Sequence, residues 1–146
     1  MRNDLPELLA PAGGFPALEA AIEAGADAVY FGGENFGARA FAKNFSRDEI
    51  AAAAKLCRAF GVKSYVTLNT LVFDREMRDM LAYAAFLEKA GVDALIIADM
   101  GAAALIREKI PTMPLHASTQ FSGHNADAAR FLAAHGFTRM VAAREL

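Results

Sequence analysis

The sequence predicts an α/β chain, an incomplete TIM-like (β/α)8 barrel with about six parallel strands and five helices. Three observations predict it. Six short runs rich in apolar, β-branched or aromatic residues recur along the chain, as strands buried on both faces of a parallel sheet require. Between them lie segments whose apolar residues fall at helical spacing. Finally, EAGADAVY (23–30), KAGVDALI (89–96) and AHGFTRMV (134–141) repeat one plan of helix end, glycine, turn and buried strand, the joint of a repeating βα unit.

The predicted strands are 7–10, 28–31, 63–68, 95–98, 115–117 and 140–142. The first helix carries Leu18 and Ile22 on one stripe, and the second carries Ile50, Ala53, Cys57 and Phe60. Met77, Leu81, Ala84 and Leu87 mark the third, Ile106 and Ile110 the fourth, and Ala128 and Leu132 the fifth. Ser46 precedes Asp48 and Glu49 as an N-cap with an acidic first turn, and Asp74 precedes Glu76 in a similar role. Gly25, Gly61, Gly91 and Gly136 each follow a helical segment, where a left-handed C-cap favours glycine.

An open doubly wound sheet would be complete at 146 residues, whereas a full barrel needs about 250. The doubly wound alternative calls for a GxGxxG turn after the first strand, and Ala10 to Phe15 reads APAGGF instead. Residues 1–146 are therefore expected to be one N-terminal piece of a barrel domain that stops after its sixth strand. An arc of six strands leaves two apolar edges, which predicts a homo-oligomer that covers them. With 15 basic and 17 acidic residues the net charge is -2, so no whole-chain basic field points to nucleic acid. One cysteine excludes a disulfide framework. No apolar run approaches the roughly 20 residues of a membrane span, and the first nine residues lack a signal-peptide core, so the expected location is the cytoplasm.

Polar residues recur just after the strands, at the rim where barrels of this type assemble their sites. They are Gly32, Glu34 and Arg39, then Asn69 and Thr70, then Asp99, then His116, Ser118 and Gln120, and finally Arg144 and Glu145. The set mixes carboxylates, amides, hydroxyls, an imidazole and guanidinium groups, which suits a polar, anionic small molecule. From these, Arg39, Asn69, Asp99, His116, Ser118, Gln120, Arg144 and Glu145 are the candidate substrate-binding residues. Several of them have a second reading. His116 is equally a hydrogen-bonded strand residue, Asp99 a helix N-cap, Asn69 a turn residue, and Arg144 with Glu145 a strand-end ion pair. Cys57, on an apolar helical stripe, reads as a buried small hydrophobe. Neither a GxSxG elbow nor an HExxH motif occurs, and no metal site is expected from these residues.

One stretch stands apart. FGARAFAKNFSR (36–47) interleaves Phe36, Phe41 and Phe45 with Arg39, Lys43 and Arg47, for a formal +3. Such a composition stacks unpaired bases and pairs with phosphates, which makes Phe36, Arg39, Phe41 and Lys43 candidate RNA contacts. The competing reading is a lid whose phenylalanines pack onto the barrel rim.

ELLAPAGG (7–14), GADAVYFGG (25–33), FGARAFAKNF (36–45), VTLNTLVFDREM (66–77), LHASTQ (115–120) and AREL (143–146) together resemble the peptidase U32 family, and the resemblance runs the length of the chain. The FGAR loop, VTLNT and LHASTQ look closest to the branch that hydroxylates 23S ribosomal RNA, the 5-hydroxycytidine synthases. Sister branches act in prephenate-dependent tRNA uridine hydroxylation and ubiquinone-pathway hydroxylation, and others carry the label of collagenase-like proteases. The resemblance implies a TIM-barrel-like N-terminal domain, RNA base hydroxylation with a small anionic cosubstrate such as prephenate, and a [4Fe-4S] cluster held by cysteines beyond residue 146. No cofactor is expected in this chain, which by the same resemblance would be inactive alone. The alternatives are a collagenase-like peptidase and a non-catalytic structural unit.

Overall fold

The structure, a computed structural model, describes residues 5–38 and 44–146. Six parallel strands form one sheet in sequential order: β1 (Leu9–Pro11), β2 (Ala28–Gly32), β3 (Lys63–Leu68), β4 (Ala94–Ile97), β5 (Leu115–Ala117) and β6 (Phe137–Met140). Each strand is followed by a helix until β6: α1 (Phe15–Glu23), α2 (Arg47–Ala59), α3 (Met77–Ala90), α4 (Met100–Lys109) and α5 (Ala126–Ala134). Sequential order without a reversal is the order of a barrel wall and not of a doubly wound sheet.

Alternation along the strands divides the sheet into two faces. Val29, Phe31, Val66, Leu68, Leu95, Ile97 and Leu115 point outward and join Leu18, Ile50, Cys57, Leu87, Ile106 and Leu132 of the helices in one buried core. Each such fully buried aliphatic side chain contributes roughly 1.5–3 kcal/mol. Inward lies a smaller cluster of Ala28, Tyr65, Ala94 and Ile96, with Leu9 and Tyr30 packed against it.

The local signals explain the helix ends. Ser46 accepts from Glu49 N while the Glu49 carboxylate accepts from Ser46 N, a complete capping box. Gly25, Gly61, Gly91 and Gly136 all have φ between +70° and +85°. Asp74 does not cap a helix. It begins a 3-10 turn, Asp74–Glu76, in which Glu76 accepts from Phe73 N before α3 starts at Met77.

Two strand positions depart from the sequence reading. Glu7 and Leu8 precede β1 because Leu8 is tied to Asp27: its N–H donates to the Asp27 carboxylate, and its carbonyl accepts from Asp27 N and Ala28 N. β6 lies three residues earlier than expected. Leu115 pairs with Phe137 but His116 with Arg139, so Thr138 is an extra residue in the ladder. This bulge lets a strand begin within polar FTRM and turns Arg139 toward the barrel interior beside His116.

Candidate functional site

A cavity of about 370 Å³ opens at the C-terminal ends of the strands. Its floor is set by Leu9, Tyr30 and Ile96, and its wall by Pro11, Gly32, Thr67 and Val141. Four of the sequence-predicted residues line it: Asn69 after β3, Ser118 and Gln120 after β5, and Arg144 after β6. Asn44 and Gly13 lie on the same wall. Among the described lining residues none is acidic, and Arg144 supplies a positive charge. An amide, hydroxyl and guanidinium lining over an apolar floor can hydrogen-bond and charge-pair a small polar anion.

The loops that frame the cavity are laced together. The Asn69 side-chain carbonyl accepts from Ala38 N at 3.0 Å, so this amide both borders the cavity and clamps the segment after β2. Next to it, Thr70 donates from N and Oγ1 to the Phe36 carbonyl, at 3.3 and 3.1 Å. Phe36, at φ 58°, is half-buried with its ring 6.2 Å from that of Tyr83. At the far side, Ser118 Oγ accepts from Gln120 N and caps the short 3-10 turn Thr119–Phe121. Gly32 is a close approach, because a Cβ there would stand 3.0 Å from Asn44 Oδ1 and 3.3 Å from Thr67 Oγ1.

Other predicted residues sit elsewhere. Asp99 caps α4 by accepting from Ala102 N at 2.8 Å, and its second oxygen accepts from Val72 N at 3.2 Å; it lies outside the cavity lining. His116, 6% exposed, lies deeper in the interior and meets the Tyr65 ring edge-on at 4.7 Å. Burial, with the positive charge of Arg139, pushes its pKa down to about 4, so the imidazole is neutral near pH 7. Glu145 is exposed and outside the lining, as is Glu34.

Of the basic and aromatic stretch, Arg39, Phe41 and Lys43 lie outside the described residues. Phe45 is in the core, 2% exposed, against Phe31 and Phe15. The Arg47 guanidinium lies over the rings of Tyr83 and Phe86, at 5.5 and 5.0 Å. Phe45 and Arg47 therefore pack against the protein itself.

Sequence reasoning missed Tyr30 on the cavity floor and Thr67 and Asn44 on its wall. A signal for Thr67 was present: period-two alternation in KSYVTLN puts Lys63, Tyr65, Thr67 and Asn69 on one face. A larger groove, about 700 Å³, runs along the opposite end of the sheet past Leu8, Phe60 and Lys63, away from every strand-end residue. Among the described residues no group of three or more His, Cys, Asp or Glu is placed to hold a metal. Cys57 is fully buried on α2, and burial pushes its thiol up to about 11, so it does not fit a cluster ligand. No described helix is long and apolar enough to cross a membrane.

Comparison with known proteins adds the family. The model of peptidase family U32 matches residues 13–146. The 23S rRNA 5-hydroxycytidine C2501 synthase of Escherichia coli is 45% identical over 140 residues, which cover 96% of this chain and 21% of that protein. A tRNA hydroxylation protein P1 of Bacillus subtilis is 39% identical, covering 96% and 33%. A protein named collagenase from Porphyromonas gingivalis is 40% identical, covering 99% and 34%. The chain thus spans about a fifth to a third of the length of these relatives. In fold it is similar to the solved U32 peptidase Mk0906, with TM-score 0.74 at 11% identity over 94% of this chain and 58% of that one. It is also similar to the deoxyribose phosphate aldolase of Aeropyrum pernix, with TM-score 0.69 at 17% identity over 92% and 62%. By the match of its sequence to the family model over residues 13–146, the chain belongs to peptidase family U32.

Proposed function

We propose that this chain is the barrel part of a protein that hydroxylates an RNA base, a cytidine of rRNA or a uridine of tRNA, and that its rim cavity holds a small anionic cosubstrate of the prephenate type. The observation that carries this reading is the convergence of Asn69, Ser118, Gln120 and Arg144, from three different strand ends, on one cavity without a lining carboxylate. Arg144 is the charge partner for a ligand carboxylate, and the amides and hydroxyls orient the rest. The names of the Escherichia coli and Bacillus subtilis relatives support an RNA base as the target.

RNA would approach over the 36–47 stretch, with Arg39 and Lys43 on phosphates and Phe36 and Phe41 against bases. Loss of RNA affinity in an Arg39→Ala, Lys43→Ala double variant supports this role, and unchanged affinity refutes it. An iron-sulfur cluster would need ligands from outside these 146 residues, so no step is assigned to it here. The cosubstrate is tested by calorimetric titration of prephenate into the chain and into its Arg144→Gln variant. Losing one charge-assisted bond, worth about 1.5–3 kcal/mol, should weaken binding roughly tenfold or more. No binding by the parent, or equal affinity in the variant, defeats the reading.

Peptide-bond hydrolysis is the second reading, and the name of the Porphyromonas gingivalis relative favours it. It calls for gelatin cleavage that survives repurification and disappears with a single point substitution.

A further inference from the structure

Below the rim cavity the barrel interior holds charged groups that the proposed ligand does not touch. Glu7, just before β1, is their centre. Its Oε1 accepts from Arg139 Nη1 at 2.6 Å, its Oε2 from Lys63 Nζ at 3.2 Å, and the Tyr65 hydroxyl donates to the same carboxylate at 3.0 and 3.1 Å from the two oxygens. The Arg139 guanidinium also covers the Tyr65 ring at 5.3 Å. The Glu7 and Arg139 side chains are only 19% and 33% exposed, so this is not a surface ion pair of negligible worth. Hydrogen bonding from Arg139 is the chief cause that lowers the Glu7 carboxyl to about 2.

The two partners come from opposite ends of the sheet. β1 pairs only with β2, and β6 only with β5, among the described strands. No backbone ladder joins β1 to β6, yet Glu7 and Arg139, separated by 132 residues, meet across the interior. Arg139 points there because Thr138 is bulged out of the ladder. Tyr65, held by both partners, packs with Ile96, Leu9 and Tyr30, the three residues that form the cavity floor.

We propose that the Glu7–Arg139 contact is a staple that fixes the curvature of the sheet from β1 to β6 and thereby sets the opening of the rim cavity. Glu7 and Arg139 are positioning residues in this scheme. The staple stands independently of what the cavity binds.

The test is a ligand-free distance measurement on the 146-residue chain. Spin labels go on Ala20→Cys of α1 and Ala133→Cys of α5, both exposed, while buried Cys57 stays unlabelled. Glu7→Gln and Arg139→Gln should each shift and broaden the distance distribution, and the double variant should go no further than either single one. Distributions identical to the parent overturn the staple. Should the Gln variants lose their far-UV helix signal, Arg139→Lys carries the test: it keeps the charge but not the planar reach over Tyr65. A shifted distribution with unchanged helix content then supports the staple, and an unshifted one overturns it. Because no ligand enters the measurement, its failure leaves the prephenate reading untouched, and failure of prephenate binding leaves the staple untouched.

Discussion

Adding one methyl group at Gly33 tests the packing behind the rim. A Cβ there would stand 1.9 Å from the Tyr83 hydroxyl oxygen, 2.9 Å from Ile50 Cδ1 and 3.2 Å from Tyr83 Cζ. Tyr83 and Ile50 are 1% and 0% exposed, and the Tyr83 ring is held between Phe36, Phe86 and the Arg47 guanidinium, so neither neighbour has room to retreat. Overpacking of this kind costs about 1–3 kcal/mol, and the sub-van der Waals hydroxyl contact puts Gly33→Ala at the upper end. Tyr83→Phe should behave oppositely. Its hydroxyl is buried without a hydrogen-bond partner among the described residues, so deleting it removes an unmet desolvation cost and should be neutral or stabilising by up to about 1 kcal/mol. In the double variant the closest clash is gone while the contacts to Ile50 and Cζ remain. The cycle should therefore show a favourable coupling of at least about 1 kcal/mol with incomplete recovery. Urea unfolding followed by far-UV circular dichroism reads all four proteins, with the slope checked for constancy. If Tyr83→Phe destabilises by more than about 1 kcal/mol, or the two changes simply add, the orphaned hydroxyl and its contact with Gly33 are not as described.

Two further perturbations separate structural from ligand roles. Asp99→Ala removes the α4 cap and the bond from Val72 N, so it should cost about 1–2 kcal/mol of unfolding free energy, whereas Asp99→Asn should retain most of it and leave prephenate affinity within about twofold. A tenfold affinity loss in Asp99→Asn would return Asp99 to the binding site. Stability should also fall in two acid stages. The folded His116 value of about 4 lies below the ordinary 6.5, so its contribution is full above pH 6.5 and is lost as pH falls toward 4. For Glu7, lowered from 4.5 to about 2, the contribution is full above pH 4.5 and disappears as pH falls toward 2; partial exposure screens this second stage to a smaller size. Urea midpoints measured from pH 7 to 3 should show the upper stage vanish in His116→Asn, and an unchanged slope between pH 6.5 and 4 would refute the neutral buried imidazole.

Glycines at 25, 61, 91 and 136 and the Ser46 cap were legible in the sequence because each reports a backbone requirement that neighbours in sequence impose. The outer faces of β3, β4 and β5 were legible for the same reason: burial on both sides of a strand writes itself as an apolar run. Asn69, Ser118, Gln120 and Arg144 were found by their place after strands, which suffices when the sheet order is sequential. That rule fails one layer down. His116, the second residue of β5, faces the interior below the rim, and Asp99, at the N-cap of α4, is taken by the helix it starts.

The interior network was not legible at all, and the reason is physical. Its geometry depends on the bulge at Thr138, which changes the parity of β6 by one residue and so decides whether Arg139 faces water or Tyr65. Nothing local marks that bulge. FTRM lacks both the apolar continuity of a buried strand and a glycine, so sequence reasoning starts the strand at Met140, where the apolar run begins. The inward register that the bulge gives lets the guanidinium reach the Glu7 carboxylate, 132 residues away. Arg139 is therefore best read together with the charge that precedes β1. Neither Glu7 nor Arg139 carries its meaning alone.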